Sequence, residues 1–328
     1  MMIARSRSWG ALACALAVVL TACGSSQSRG GHARTTAVHS PAAANNAPVS
    51  VAPHTPAPSR TPAPRRGSGT PVHVSLYESD GQTFGVGMPI IAYFSASVTD
   101  ASAFEQATVV TVNGEPVHGA WYFEHSSQAD KALEAHYRLP TYWPAHASIK
   151  MSLPLAGLWA GKGLVFDDNL TLSIRTGAAQ LVKIDGKSKR MHVYSDGKLI
   201  RTFAVSLGKA TTPTYAGTAV VVGKANPQDM VSAPGEPYYN IEVPWSVRVT
   251  YDGEFIHDAY WNGELGRANL SHGCTNLSPP DAKWYYHFSA IGDPVTWTNT
   301  GTSARVPVWD GYGDWNLSWA TYSHGGLL

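Results

Sequence analysis

LTLSIRTGAAQLVKIDGKSKRMHVYSDGKLIRTFAVSLG, residues 170 to 208, decides the fold. Four runs within it, LTLSIR (170 to 175), LVKID (181 to 185), RMHVYS (190 to 195) and LIRTFAVSLG (199 to 208), are short and largely alternate apolar with polar residues. A period of two sends successive side chains to opposite faces of a strand and cannot line one face of a helix. Gly186-Lys187-Ser188-Lys189 and Asp196-Gly197-Lys198 separate the last three runs, and both are hairpin chemistry. The stretch reads as the end of one β unit followed by hairpins that open a second.

Upstream, the same kind of run recurs: VHVSLY (72 to 77), PIIAYFSA (89 to 96), TVVTV (108 to 112), GAWYFEH (119 to 125), EAHYRLP (134 to 140) and SIKMSLP (148 to 154). Turn signals punctuate them at Ser79-Asp80-Gly81, Asn113-Gly114, Gly161-Lys162-Gly163 and Asp167-Asp168-Asn169. Together with LTLSIR this predicts an immunoglobulin-like sandwich over residues 71–176. No cysteine lies there to bridge its sheets, and no cluster of titratable residues stands out, so a spacer or wall-contact module is the default reading. Downstream, GTAVVVG (217 to 223), WSVRVTY (245 to 251) and EFIHD (254 to 258) extend the second unit, the last two joined across Asp252-Gly253. One helix is signalled by Ser278 as N-cap, Pro279 at the first helical position and Asp281 three residues on. Ala282, Tyr285, Tyr286 and Ser289 share a face of it, and Gly292 is placed to end it. The fold class is mainly β, with a second domain over 177–300 and a C-terminal extension, 301–328, packed on it.

The chain has 328 residues, 44% hydrophobic and 14% charged, which is enough apolar material for a core in each of two domains. A net charge of +1 gives no reason to expect nucleic acid as a partner. Three cysteines, Cys14, Cys23 and Cys274, exclude a disulfide-stapled mini-protein and a four-cysteine zinc module. Arg5 and Arg7 precede an uncharged run from Ala11 to Leu20, the size of a signal-peptide core and too short to span a bilayer. The run ends in Leu20-Thr21-Ala22-Cys23, which resembles the lipobox of bacterial lipoproteins. That reading makes residues 1–23 a lipoprotein signal, Cys23 the lipidated residue and the exported chain membrane-anchored, facing the cell wall; ordinary signal cleavage nearby is the alternative. Residues 24–70 contain no Asp or Glu and seven prolines, and read as a Pro-rich linker. Its five arginines, Arg29, Arg34, Arg60, Arg65 and Arg66, suit either a solvated tether or contact with anionic headgroups or wall polymers.

The chemically informative stretch is Ser271-His272-Gly273-Cys274-Thr275-Asn276, with His257 seventeen residues before the cysteine. A thiol is a useful nucleophile only as thiolate, and an imidazole can take its proton. His272 is poorly placed for that on a tight loop, whereas His257, at the end of a strand, can reach Cys274 if the intervening segment folds back. Gly273 lets the backbone turn sharply and bring N–H groups toward a developing oxyanion. Composition and spacing alone leave a buried small hydrophobe equally open for the cysteine. No Cys-x-x-Cys or His-x-x-x-His spacing supports a metal site.

IHDAYWNGELGRANLSHGCTNLSP (256 to 279) resembles the active-site signature of the L,D-transpeptidases, in which a histidine precedes a Ser/Thr-His-Gly-Cys box. VSLGKATTPTYAGTAVVVG (205 to 223) is similar to the family's Gly-Lys…Thr-Pro strand and turn, and GYGDWNLSW (311 to 319) to the tail of its actinobacterial branch. The resemblance implies Cys274 as nucleophile, His257 as general base, the carbonyl of Asp258 as the group orienting the imidazole, and His272 and Gly273 as loop-shaping residues. Asp258 departs from the Ser or Gly common there, and its carboxylate would favour imidazolium. Tyr239 matches a tyrosine of the substrate flap; Trp261, Ser271 and Asn276 match residues of the substrate pocket; Thr275 replaces a usually apolar residue. The implied reaction is a 3→3 peptidoglycan cross-link through a Cys274 thioester, with D-Ala released from a tetrapeptide stem and the amine of a second stem's diamino acid as acceptor. It needs no metal or other cofactor, and it implies carbapenem β-lactams as covalent inhibitors. Water as acceptor would make the protein an L,D-carboxypeptidase, and a degenerate site would make it a wall-binding lipoprotein.

Overall fold

The computed structural model describes residues 63–232 and 238–328. The signal, Cys23 and nearly all of the linker lie outside the described residues. Of the linker, residues 65–70 are part of the first domain: the Arg65 guanidinium sits 4.0 Å from the Trp159 ring centroid, Arg66 bridges to Leu158, and the strand Thr70–Val72 pairs in parallel with Leu164–Phe166.

The first domain packs a four-stranded sheet on a five-stranded one. In spatial order the former is Val74–Leu76, Ile90–Phe94, Leu133–Arg138 and Ala120–Glu124; the latter is Thr83–Phe84, Leu170–Thr176, Ser148–Leu153, Val109–Val112 and Glu115–Val117. Every second residue of Ser148–Leu153 and Leu170–Thr176 is buried, as the alternation requires, whereas Ile90–Phe94 and Leu133–Arg138 are buried throughout; Phe94, Phe104, Phe123 and Phe166 meet between the sheets with ring centroids 5.1 to 6.4 Å apart. Burial of each such ring contributes roughly 1.5–3 kcal/mol. A short helix, Ser102–Ala107, delivers Phe104 to that cluster and is not signalled by periodicity.

The second domain has a five-stranded sheet ordered Lys198–Ala204, Arg190–Ser195, Gln180–Asp185, Pro294–Thr298 and Gly217–Val220. GTAVVVG is not one strand: it pairs in this sheet as far as Val220, then Gly223–Ala225 joins a second sheet with Ser246–Arg248, Phe255–Asp258 and Thr275–Leu277. Gln228–Val231 and Asn240–Val243 pair antiparallel as a separate two-stranded sheet. The helix runs Pro279–Phe288 behind a Ser278 cap that accepts from the Asp281 N–H. It ends at Ser289, in extended conformation, so Gly292 is not its stop. Gly292 instead makes the next turn at φ +91°, where its carbonyl accepts from Gly87 N–H at 2.9 Å and a side chain would strike Met88.

The face of EAHYR that reads as solvent-exposed is covered by the tail. Glu134 and His136 are buried, as is Arg138. His136 Nδ1 lies 3.0 Å from Asp314 of the C-terminal extension, and Nε2 lies 2.7 Å from Glu134 and 3.6 Å from Glu124. Arg138 donates to the carbonyls of Asp314 and Leu317, with its guanidinium 4.0 Å from the Tyr322 ring centroid. The first domain therefore does contain a cluster of titratable groups, and it is buried because the tail completes it. The extension packs on both domains: Asn316 brackets Thr218 of the second, and Trp315 donates to the Gly87 carbonyl of the first.

Burial alone would lower His136, but the carboxylates of Asp314, Glu134 and Glu124 outweigh it and hold the imidazole well above its ordinary value. A raised folded-state value stabilises fully below the unfolded histidine's range and is lost as pH rises through it. His136→Ala leaves the buried carboxyl groups of Asp314, Glu134 and Glu124 without their cation and is expected to cost about 3–5 kcal/mol. Guanidinium titrations at pH 6 and pH 9 should show this difference shrinking at the higher pH; a gap independent of pH would sink the ionic account.

Candidate active site

The strands Phe255–Asp258 and Thr275–Leu277 lie side by side in parallel, with Ile256 opposite Thr275, His257 opposite Asn276 and Asp258 opposite Leu277. Parallel neighbours need a crossover, and residues 259–274 supply it, ending with Cys274 as the last residue before its strand. The fold-back required to bring His257 toward Cys274 is thus present.

The loop before the cysteine is organised from within. Ser271 Oγ donates to the Cys274 carbonyl at 2.5 Å and accepts from Gly273 N–H at 3.2 Å. Its hydroxyl is used in shaping the turn rather than left open to a substrate. Gly273 sits at φ +131°, in the region that favours glycine, and its carbonyl accepts from Thr214 Oγ1 at 2.5 Å. Thr214 in turn accepts from Gly208 N–H, tying the Gly208–Thr214 turn to the nucleophile loop. Thr275 is buried, and its hydroxyl accepts from the Trp297 indole N–H at 3.0 Å, which explains a polar residue at an interior position.

His257 is buried, and its Nδ1–H donates to the Asp258 carbonyl at 2.6 Å, leaving Nε2 as a bare acceptor. Burial pulls its pKa down to about 4 against that hydrogen bond. The Asp258 carboxyl does not exert its expected influence. It is buried, its Oδ1 has no partner, burial raises its own pKa, and of Asp258 only the backbone carbonyl acts on His257. Adjacent strand residues face opposite ways, and only the carbonyl of Asp258 reaches the ring.

The Cys274 thiol donates to the Gly253 carbonyl at 3.7 Å. Burial pushes it up to about 12, against the Phe255 N–H, which favours thiolate, and with the carboxylates of Glu254 and Asp252 adding to the rise. At neutral pH the resting pair is thiol and neutral imidazole, not an ion pair.

Aromatic rings surround this centre. Tyr239, at the turn end of the Gln228–Val231 and Asn240–Val243 hairpin, lies 5.7 Å from the His272 ring, and Trp261 lies 6.1 Å from the His257 ring while remaining 48% exposed. Asn276 is 3% exposed with an unpartnered Oδ1, so it lies beneath the site instead of lining an open wall. Two contributors escape a sequence reading: Gly253, whose carbonyl holds the thiol, and Glu254, whose Oε1 accepts from Tyr215 N–H and whose Oε2 is enclosed without a partner. A Gly-Glu pair after an aspartate looks like ordinary turn chemistry, and only the packing of Gly273 against Glu254 marks it.

Fold and site define a two-domain β protein with a part-buried thiol at the head of one strand and a buried, neutral imidazole on its parallel neighbour. Residues 179–296 match the L,D-transpeptidase catalytic domain and residues 61–159 a bacterial Ig domain. An L,D-transpeptidase structure from Mycobacterium smegmatis shares 31% identity at a TM-score of 0.58, with 70% of this chain and 100% of that one covered. An L,D-transpeptidase solved in complex with imipenem shares 27% identity at a TM-score of 0.56, covering 72% and 100%. L,D-transpeptidase 2 of Mycobacterium tuberculosis is 30% identical over 266 residues, 78% of this chain; the chain spans 63% of that relative's length. The chain belongs to the L,D-transpeptidase family.

Acylation of Cys274, followed by mass spectrometry from pH 4 to 9, is expected to show no acid limb near 6.5, the ordinary histidine range, and to fall only as His257 protonates near 4. Asp310, pushed up to about 6 by burial, keeps an acceptor oxygen when protonated and should add no limb of its own. Above pH 8 Glu254, which burial pushes up to about 8, ionises beside the thiol and should slow the reaction. Glu254→Gln should remove that alkaline decline. A limb centred near 6.5 would refute the neutral, low-pKa imidazole.

Proposed function

We propose that the protein is a peptidoglycan L,D-transpeptidase that forms 3→3 cross-links. The observation that carries the reading is the Cys274 thiol, at the head of the strand that pairs in parallel with the strand of His257, whose Nδ1 is locked by the Asp258 carbonyl and whose Nε2 is left to take a proton, in a chain of this family. Cys274 attacks the carbonyl between the diamino acid and the D-Ala of a tetrapeptide stem. His257 Nε2 takes the thiol proton and delivers it to the leaving amine, and D-Ala departs as a thioester forms. The side-chain amine of a second stem's diamino acid then displaces the thiol, which recovers its proton through His257. Tyr239 and Trp261 flank the stem peptide, and the Cys274 N–H donates to the oxyanion. The relative solved with imipenem supports carbapenem acylation of Cys274 here. The Cys23 lipobox supports a membrane-anchored location facing the wall, with residues 24 to 64 as the tether.

Incubation with disaccharide-tetrapeptide should yield dimers that have lost one D-Ala, read by mass spectrometry. Cys274→Ala should abolish them. D-Ala release without dimers would replace this reading by the L,D-carboxypeptidase, and absence of both turnover and carbapenem adduct on the intact protein would overturn the enzyme reading.

A further inference from the structure

The C-terminal extension reaches the nucleophile through one buried carboxylate. Asp310 is 0% exposed, and its Oδ1 accepts from the backbone N–H groups of Tyr251 and Asp252 at 2.5 and 2.9 Å. These are the two residues before Gly253, whose carbonyl takes the hydrogen bond of the Cys274 thiol. The rest of the turn is equally constrained: Thr250 Oγ1 donates to Asp252 and accepts from Glu254 N–H, and the Val249 and Thr250 N–H groups face the Glu254 carbonyl. Gly311, at φ +77°, lies so close that a side chain there would strike the Val249 carbonyl. The next residue, Tyr312, accepts or donates a 2.6 Å hydroxyl contact with Tyr251 and sets its ring edge-on to His136.

We infer that Asp310 is a positioning residue for the nucleophile: by fixing the Tyr251–Gly253 backbone it fixes the carbonyl that aims the Cys274 sulfur. The inference rests on Cys274 being the nucleophile proposed above. It adds that the tail is a working part of the site and that Asp310 acts without touching substrate. An error of about 1 Å in aim can cost up to ~100-fold in rate, whereas the simple reactivity of a thiol toward a small alkylating agent does not depend on aim.

The full chain as wild type, Asp310→Ala and Asp310→Asn is reacted in parallel with imipenem and with iodoacetamide, and adducts on Cys274 are counted by mass spectrometry. Asp310→Ala is expected to slow imipenem acylation at least about ten-fold while alkylation stays within about three-fold. Asp310→Asn, which keeps an acceptor oxygen for both N–H groups, should recover most of the acylation rate. Unchanged acylation in Asp310→Ala, or a parallel fall of both rates, overturns the inference. A wild type that is alkylated but never acylated points to failure of the transpeptidase reading instead. In either event, and where a variant fails to fold, amide exchange of the wild type decides. Alkylating Cys274 removes the S–H donor and should speed exchange across residues 251–254; unchanged exchange overturns the coupling.

Discussion

Asp310 and Asp314 stand one helical turn's worth of sequence apart, both are fully buried, and they serve different domains. Asp314 meets His136 of the immunoglobulin-like sandwich, and Asp310 meets the amides of Tyr251 and Asp252 beside the thiol. A carboxylate is too costly to bury unless something returns the hydration it gives up. Here one is matched by an imidazolium and the other by two backbone N–H groups. Each match is available only if the tail, the sandwich and the Asp252-Gly253 turn hold one arrangement. Displacing the tail would expose or orphan both charges together, so the two contacts reinforce each other.

The same desolvation explains the chemistry of the resting site. Burial disfavours whichever form is charged, so it raises a thiol and lowers an imidazole. Both shifts oppose moving the proton from Cys274 to His257 with nothing else bound. Proton transfer is easiest when it accompanies formation of the carbon–sulfur bond, because negative charge then passes to the acyl oxygen. Aim then matters more than basicity, because a neutral thiol reacts only where its lone pair and the acceptor nitrogen are already placed.

Much of this architecture was legible. Alternation located most strands of both domains, and the Ser278-Pro279-Pro280-Asp281 signal located the long helix at its first turn. What escaped did so for identifiable reasons. Pro294–Thr298, which the sequence reading leaves unassigned, opens on a proline after Asp293, yet it lies between Gln180–Asp185 and Gly217–Val220 within the sheet, because proline is tolerated at a strand's first residue. Thr275–Leu277 is only three residues long, too short for any period to show. Glu134, His136 and Arg138 recur at a spacing of two, and a polar strand face ordinarily means solvent. The partner that buries it lies 178 residues away, a separation no local pattern encodes. Cys274 and His257 stand out in the sequence only through the resemblance of their box, whereas Gly253 and Glu254 contribute through a carbonyl and an enclosed carboxyl, features that residue type alone does not advertise.

The default view of the first domain as a spacer needs revision on physical grounds. A spacer would meet its neighbour through a linker and a wet, replaceable surface. Here Gly85 N–H donates to the Ile291 carbonyl at 2.7 Å, and a Cβ on Gly85 would fall 2.3 Å from the Asp293 nitrogen, so the two backbones touch directly. The tail then crosses the junction with His136 on one side and Tyr251 on the other, and Tyr312 contacts both. Such a joint resists hinge motion because rotation would separate the backbone contacts and strip the buried charges of their partners at once. Any force or ligand acting on the sandwich would be felt at the Asp252-Gly253 turn, and the first domain is physically part of the thiol's environment.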